Sequence, residues 1–343
     1  MPALLTSLLT QTWFILLLSA ALIGTVLASV HHAEVIAHKT GEPYGSLILA
    51  LAVTVIEVSL IVSMMLAGHE GSEFIARDAV FATVMIIING VIGLCMFIGG
   101  RQHYEMGFRR DGAISSFSVL ATLVTFALVM PIVTTSTPGP DFTRGQLAFA
   151  GIASFVMYAG FLFFQSVSHR DYYLPKIETQ KHDENIHAEQ PSNAKALSSL
   201  ALLIICLVLV VGLAKALSPA IEAGVKVAGL PKTIVGIAIA LLVLLPESFA
   251  ALRAAKANRL QSSLNLALGS ALATIGLTIP AVAVIALWFH LPLSLGISDL
   301  NITLLFLSLF VGGLTLSLGK TTVLQGAIHL IIFCEYLFLS VVP

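Results

Sequence analysis

The sequence predicts an all-α polytopic membrane protein of ten transmembrane helices, arranged as two inverted-topology repeats of five. Three observations predict it. The 343 residues are 57% hydrophobic and 10% charged, with a mean hydropathy of +0.98, whereas soluble domains carry about 25% charged residues. Apolar stretches of about 20 residues, enough to cross a bilayer, recur along the whole chain. The two halves of the chain also resemble each other.

The candidate spans are 12–30, 45–67, 78–100, 113–135, 146–168, 197–217, 233–252, 263–289, 302–318 and 321–342. The sequence opens MPALLTSLLTQTWF, without Lys or Arg. A cleaved leader normally starts basic, so this stretch is expected to persist in the mature chain. Loops of charged, Gly or Pro residues separate most spans, and a tight Leu318-Gly319-Lys320 turn joins the last two. That turn closes GGLTLSLGKTT, which ends like a phosphate-binding loop. The five residues between Gly313 and Gly319 are one too many, and a nucleotide loop needs a strand before it.

Orientation follows from the basic residues. Twelve Lys and Arg fall after odd-numbered spans and five on the other side. The odd loops are therefore expected in the cytoplasm and both termini outside, in the inner (plasma) membrane if the source is bacterial. The longest polar stretch, 169–196, divides a first repeat, 1–168, from a second, 197–343. It is expected to be a solvated cytoplasmic linker, and its His169, His182 and His187 are not expected to form a metal site. A net charge of −1 gives no reason to expect nucleic acid. Cys95, Cys206 and Cys334 are scattered in apolar runs and are expected to be buried small hydrophobes. No cofactor is expected.

The repeat carries the chemistry. EVIAHKTGEP at 34–43 and EAGVKVAGLP at 222–231 match in Glu, Gly and Pro at an offset of 188. Each is followed by an apolar run holding one carboxylate, Glu57 in the first half and Glu247 in the second. Five spans per repeat means that the second copy enters the membrane the other way up. Inverted repeats with ion sites near mid-membrane are a common architecture of secondary transporters. Glu34 and Glu222 also match, near predicted helix ends, where capping is the favoured role over lining an access path. Glu335 has no such counterpart.

A charged carboxylate at mid-membrane costs about 2.5–3.5 kcal/mol on insertion scales. No Lys or Arg is expected at comparable depth, so a proton or a bound cation must relieve the cost. The two are mutually exclusive at one carboxylate, because a cation ligand must be deprotonated. That exclusion is the chemical core of an antiporter. Two carboxylates neutralise one divalent ion, and a hard cation wants further oxygens. Thr54, Ser59, Thr83, Asn89, Ser248, Asn265, Ser270 and Thr274 stand near enough in sequence to supply them. Pro246 removes one helix hydrogen bond and frees a carbonyl beside Glu247, which is tolerated in a membrane where it lines a site.

The LLPES segment, the paired glutamates, LNLALGSALATIGLTIP and LQGAIHL together resemble the calcium:cation antiporter (CaCA) superfamily, and within it the bacterial ChaA-type calcium/sodium–proton antiporters. The resemblance implies ten core helices, a central cation site shared by the two glutamates, and alternating access by a sliding gating bundle. It carries Glu57, Glu247, Asn89 and Ser270 over as cation- and proton-binding residues, with Glu57 and Glu247 as the metal ligands. The proton-coupled branch usually writes Gly-Asn, two variable positions and Glu. Here the segment is Ala52-Val53-Thr54-Val55-Ile56-Glu57, without Gly-Asn, so the preferred cation stays open.

The expected function is thus export of Ca2+ or Na+, with K+ a further candidate, against H+. Two other classes remain beside it. An intramembrane enzyme would use two carboxylates sharing one proton at about 3–4 Å, and a passive cation channel would need no proton competition.

Overall fold

The computed structural model describes residues 12–40, 44–66, 71–174, 191–229, 231 and 233–342. They are nearly all helical. The helices are α1 (Thr12–Thr40), α2 (Tyr44–Leu66), α3 (Ser72–His103), α4 (Arg110–Val133), α5 (Arg144–Ser168), α6 (Asn193–Val227), α7 (Thr233–Lys256), α8 (Leu260–Phe289), α9 (Asp299–Ser317) and α10 (Val323–Val341). Among the described residues nine are long and apolar enough to cross a membrane, and Leu51–Leu66 of α2 is a shorter apolar stretch. Thr143 with Gln146 and Thr322 with Gln325 form capping boxes that start α5 and α10.

α1 and α6 overrun the expected spans most. α1 continues ten residues past 30, and α6 runs through Pro219 to Val227. Polarity marks where a bilayer ends, whereas a helix stops at a breaker. No Gly or Pro falls between residue 30 and Gly41, and Gly229, at φ 65°, lies just past the end of α6. Glu34 therefore sits inside α1, exposed, and not at a capping position. The side chain of Glu222 lies outside the described residues, as do His182 and His187 of the linker.

Pro246 removes its one hydrogen bond without breaking the helix. α7 is one continuous helix through it. The irregular geometry falls elsewhere, in π-turns at Ile86–Val91 of α3, Thr125–Val129 of α4, Phe164–Ser168 of α5 and Thr274–Thr278 of α8. A π-turn holds one extra residue and re-aims the side chains around it. The cysteines need correction too. Cys95 is buried, but Cys206 is partly exposed and Cys334 is exposed. Facing lipid suits a weakly polar thiol as well as facing protein does.

The apolar packing separates into two main clusters. One joins α3, α4, α5, α8, α9 and α10 with one face of α7, through Phe81, Ile88, Phe117, Leu244, Leu268 and Tyr336. The other joins α1 and α6 to α2 and the opposite face of α7, through Val26, Val210, Ile56 and Val243. In the first cluster α3 and α10 touch backbone to backbone. A Cβ on Gly326 would lie 2.6 Å from Phe97 Cα and 2.8 Å from Gly93 O, so only glycine fits.

Two short strands, β1 (Met106–Gly107) and β2 (Lys320–Thr321), pair antiparallel and tie the α3–α4 turn to the α9–α10 turn. Gly319 makes the expected turn at φ 68°, and helix rather than strand precedes it.

Candidate functional site

α8 enters beside the linker and presents a line of polar side chains. Asn265, Ser270 and Thr274 line a cavity of about 150 Å³, together with Thr54 of α2, Glu247 of α7 and Tyr158, Phe161, Leu162 and Gln165 of α5. The stretch from Asn265 to Thr274 spans about 13 Å at 1.5 Å per residue. Four of the eight predicted supporting oxygens thus meet Glu247 in one place.

Glu57 lies beyond the inner end of this cavity. It is 1% exposed. Thr278 Oγ1 donates to its Oε2 at 3.1 Å, and the Thr274 hydroxyl lies near the same carboxylate. Thr274 therefore faces both the cavity and Glu57. Glu57 Oε1 and Glu247 Oε2 are buried acceptors without a protein partner. Glu247 is half-buried, and Glu34 and Glu57 both lie within electrostatic reach of it. The local sequence explains the geometry. ALATIGLTIP puts Thr274 and Thr278 four apart, on one face of α8. Gly276 between them sits against Tyr158, where a Cβ would come 2.4 Å from Tyr158 Cβ and 2.6 Å from Cγ.

The other predicted residues lie elsewhere. Asn89, on the π-turn of α3, is fully buried and committed to α9 and α10. Its Nδ2 donates to Ser308 Oγ at 2.8 Å, and its Oδ1 faces His329 Nδ1 at 3.1 Å. An amide oxygen only accepts, so His329 carries a proton on Nδ1. His329 Nε2 then pairs with Thr315 Oγ1 at 3.2 Å. Asn265 is spoken for as well, donating to Tyr173 O at 2.6 Å and accepting from Gln261 Nε2 at 2.9 Å. Ser248 Oγ donates to Leu244 O of its own helix at 2.7 Å. Ser59 is half-buried on α2 and Thr83 buried on α3, neither at the cavity. Pro246 precedes Glu247 in α7 and has no N–H to offer the carbonyl one turn back.

Thr278 and Gln165 were not among the residues expected from sequence. The spacing of Thr278 four residues from Thr274 was the available signal. Gln165 stands at a span end, where a Gln attracts no notice. A larger cavity of about 410 Å³ lies at the other end of α8, beside Glu73, Asp141, Arg144 and His290. It mixes both charge signs and lies away from the paired glutamates.

Chemically, the arrangement offers two carboxylates joined by a short run of hydroxyls, each with a buried oxygen that lacks a donor. Such oxygens suit a proton or a hard cation. The sequence pattern of the sodium/calcium exchanger protein family matches residues 10–167 and 198–342. The chain is 48% identical over 330 residues, 96% of this chain and 89% of the other, to y4hA of Sinorhizobium fredii (strain NBRC 101917 / NGR234), which carries the provisional description of an ionic transporter. It is 33% identical over 322 residues, 94% of this chain and 87% of the other, to the sodium-potassium/proton antiporter ChaA of Escherichia coli (strain K12). The fold is similar to the solved structure of native YfkE, with a TM-score of 0.75 at 16% identity, covering 96% of this chain and 92% of that one.

Proposed function

Because the chain belongs to the sodium/calcium exchanger protein family, a family of ion transporters and not of enzymes, we propose that it is a secondary antiporter exporting Ca2+ or Na+ in exchange for H+. K+ is a further candidate, since the Escherichia coli relative carries potassium in its name. One observation carries this proposal. Glu247 lines a cavity and Glu57 is sealed just past its inner end, with Thr274 touching both regions.

Each carboxylate alternates between proton carrier and cation ligand. With Glu57 and Glu247 ionised, a cation replaces the protons and takes hydroxyl oxygens from Ser270, Thr54 and Thr274. Thr278 holds Glu57 in place. Asn89, bound to Ser308 and His329, serves by fixing the π-turn of α3. The carbonyl left free by Pro246 adds a dipole beside Glu247.

The architecture proposed with this mechanism is ten crossing helices in two inverted repeats, 1–168 and 197–343, joined by the 169–196 linker. Two findings support it. The π-turns of α3 and α8 begin at Ile86 and Thr274, 188 residues apart, the same offset as the sequence match. The family pattern also falls in two blocks on either side of the linker. The separate α1–α6 cluster supports alternating access by sliding of that pair. The distribution of Lys and Arg supports both termini outside an inner membrane.

The test is cation addition to everted vesicles carrying a pH gradient. The wild type dissipates the gradient, while Glu57→Gln and Glu247→Gln, each still folded, do not. Exchange retained in both variants sinks the mechanism. A flux indifferent to the pH gradient makes the protein a channel.

A further inference from the structure

Gln165 has no place in the mechanism above, yet it lines the cavity that holds Glu247. Its placement follows from α5. Tyr158, Phe161, Leu162 and Gln165 all line the cavity, at the i, i+3, i+4, i+7 spacing of one helix face. Around it Phe163, Phe164 and Val167 are 57%, 50% and 64% exposed, on the outer surface. Gln165 is thus a polar side chain on the cavity-lining face, in a turn it shares with Ser166 and Ser168. It sits in the Phe164–Ser168 π-turn, a device found often at functional sites.

Among the described residues Gln165 makes no hydrogen bond, whereas the neighbouring amide of Asn265 is held at both ends. The cavity, at about 150 Å³, has room for several waters. A cation passing to Glu247 therefore meets one uncommitted amide while still partly hydrated.

Resting on the antiporter reading, we propose that Gln165 is a cation-coordinating residue on the linker side of the site, whose amide oxygen replaces part of the hydration shell. Its chemistry differs from that of the glutamates in one respect. An amide oxygen binds a cation but takes no proton in the working pH range. It therefore raises cation affinity without raising proton affinity, and tilts the competition at Glu247 towards the cation.

The test uses the full-length protein in everted vesicles, with Na+ and Ca2+ added separately. Gln165→Leu is expected to raise the apparent KM for the transported cation roughly tenfold, the scale of one hydrogen bond to a charged group, with the maximal rate held within about twofold of wild type. At fixed cation, the pH at which protons half-inhibit exchange is expected to move up by about one unit for a tenfold loss of cation affinity. Gln165→Asn, which keeps the amide, is expected to fall between the two.

An unchanged KM and pH profile in Gln165→Leu overturns the proposal and leaves the antiporter reading intact. A collapse of maximal rate without a KM change, in protein that remains monodisperse, also overturns it, because it marks a packing role. If Gln165→Leu does not fold, the KM of Gln165→Asn decides, and a wild-type value there overturns the proposal. Absence of exchange in the wild type counts against the antiporter reading itself.

Discussion

Gly276→Ala tests the link between packing and chemistry. Gly276 lies in the π-turn whose Thr278 hydroxyl donates to Glu57 at 3.1 Å. An alanine Cβ there would stand 2.4 Å from Tyr158 Cβ, against an ordinary carbon–carbon contact of about 3.5 Å. Tyr158 Cβ is fixed to backbone and cannot rotate away, so α5 and the π-turn must separate by about 1 Å. Overpacking of this size costs about 1–3 kcal/mol of stability. A shift of about 1 Å in the π-turn is enough to misalign the 3.1 Å Thr278–Glu57 hydrogen bond. Loss of a bond to a charged group is worth about 1.5–3 kcal/mol, roughly a ten- to hundredfold loss of apparent cation affinity. Gly160→Ala is the control, because a Cβ on that neighbouring turn of α5 meets nothing within 4 Å. Thermal unfolding in detergent and vesicle exchange read the two effects. A Gly276→Ala protein with wild-type Tm and KM refutes the reasoning.

Other outcomes follow from the same geometry. Thr278→Val, which keeps shape and deletes the donor, is expected to raise the cation KM about tenfold, and Thr278→Ser to restore most of it; equal KM values for Val and Ser would contradict the role given to the hydroxyl. Since a proton and a cation exclude each other at one carboxylate, the apparent cation KM of the wild type is expected to rise as pH falls, by up to about tenfold per unit for each proton displaced. A KM independent of pH would remove the competition. His329→Leu leaves Asn89 Oδ1 buried without its donor, and is expected to lower stability by about 1–3 kcal/mol, measured as a lower Tm, with His329→Gln recovering part of the loss. A Tm unchanged in His329→Leu would show that the Asn89 network is dispensable for stability.

The sequence exposed the carboxylates because each breaks an apolar run, and an uncompensated charge in such a run is conspicuous. Ser270, Thr274, Thr54 and Asn265 were legible by residue type and by nearness to the repeat. Asn89 shows the limit. An Asn on a uniformly apolar helix carries no record of which face it occupies, so its bonds to Ser308 and His329 could not be read beforehand. The π-turns were equally hidden. A one-residue insertion in a helical register shows only against a regular amphipathic pattern, and the run Val84–Ile88 that leads into the α3 π-turn is apolar on every side. Pro246 does not say from sequence whether the helix bends; α7 is packed on two faces and stays helical through it. The ends of α1 and α6 escaped because hydropathy reports the bilayer edge and says nothing of helix termination.

The β1–β2 pair has a mechanical side. It pins two turns of the large helix cluster to each other, with Lys320 Nζ and Glu105 Oε2 at 3.1 Å across the same join. A body stapled at one end resists shear between its own helices. In the proposed cycle the movement then falls to α1 and α6, which carry Leu16, Leu17, Leu197 and Val208, 58–69% exposed, on their outer faces. Those side chains would slide against lipid, so the bilayer becomes part of the machine's friction. Turnover would then track acyl-chain order and membrane thickness, even where the affinity for the cation does not.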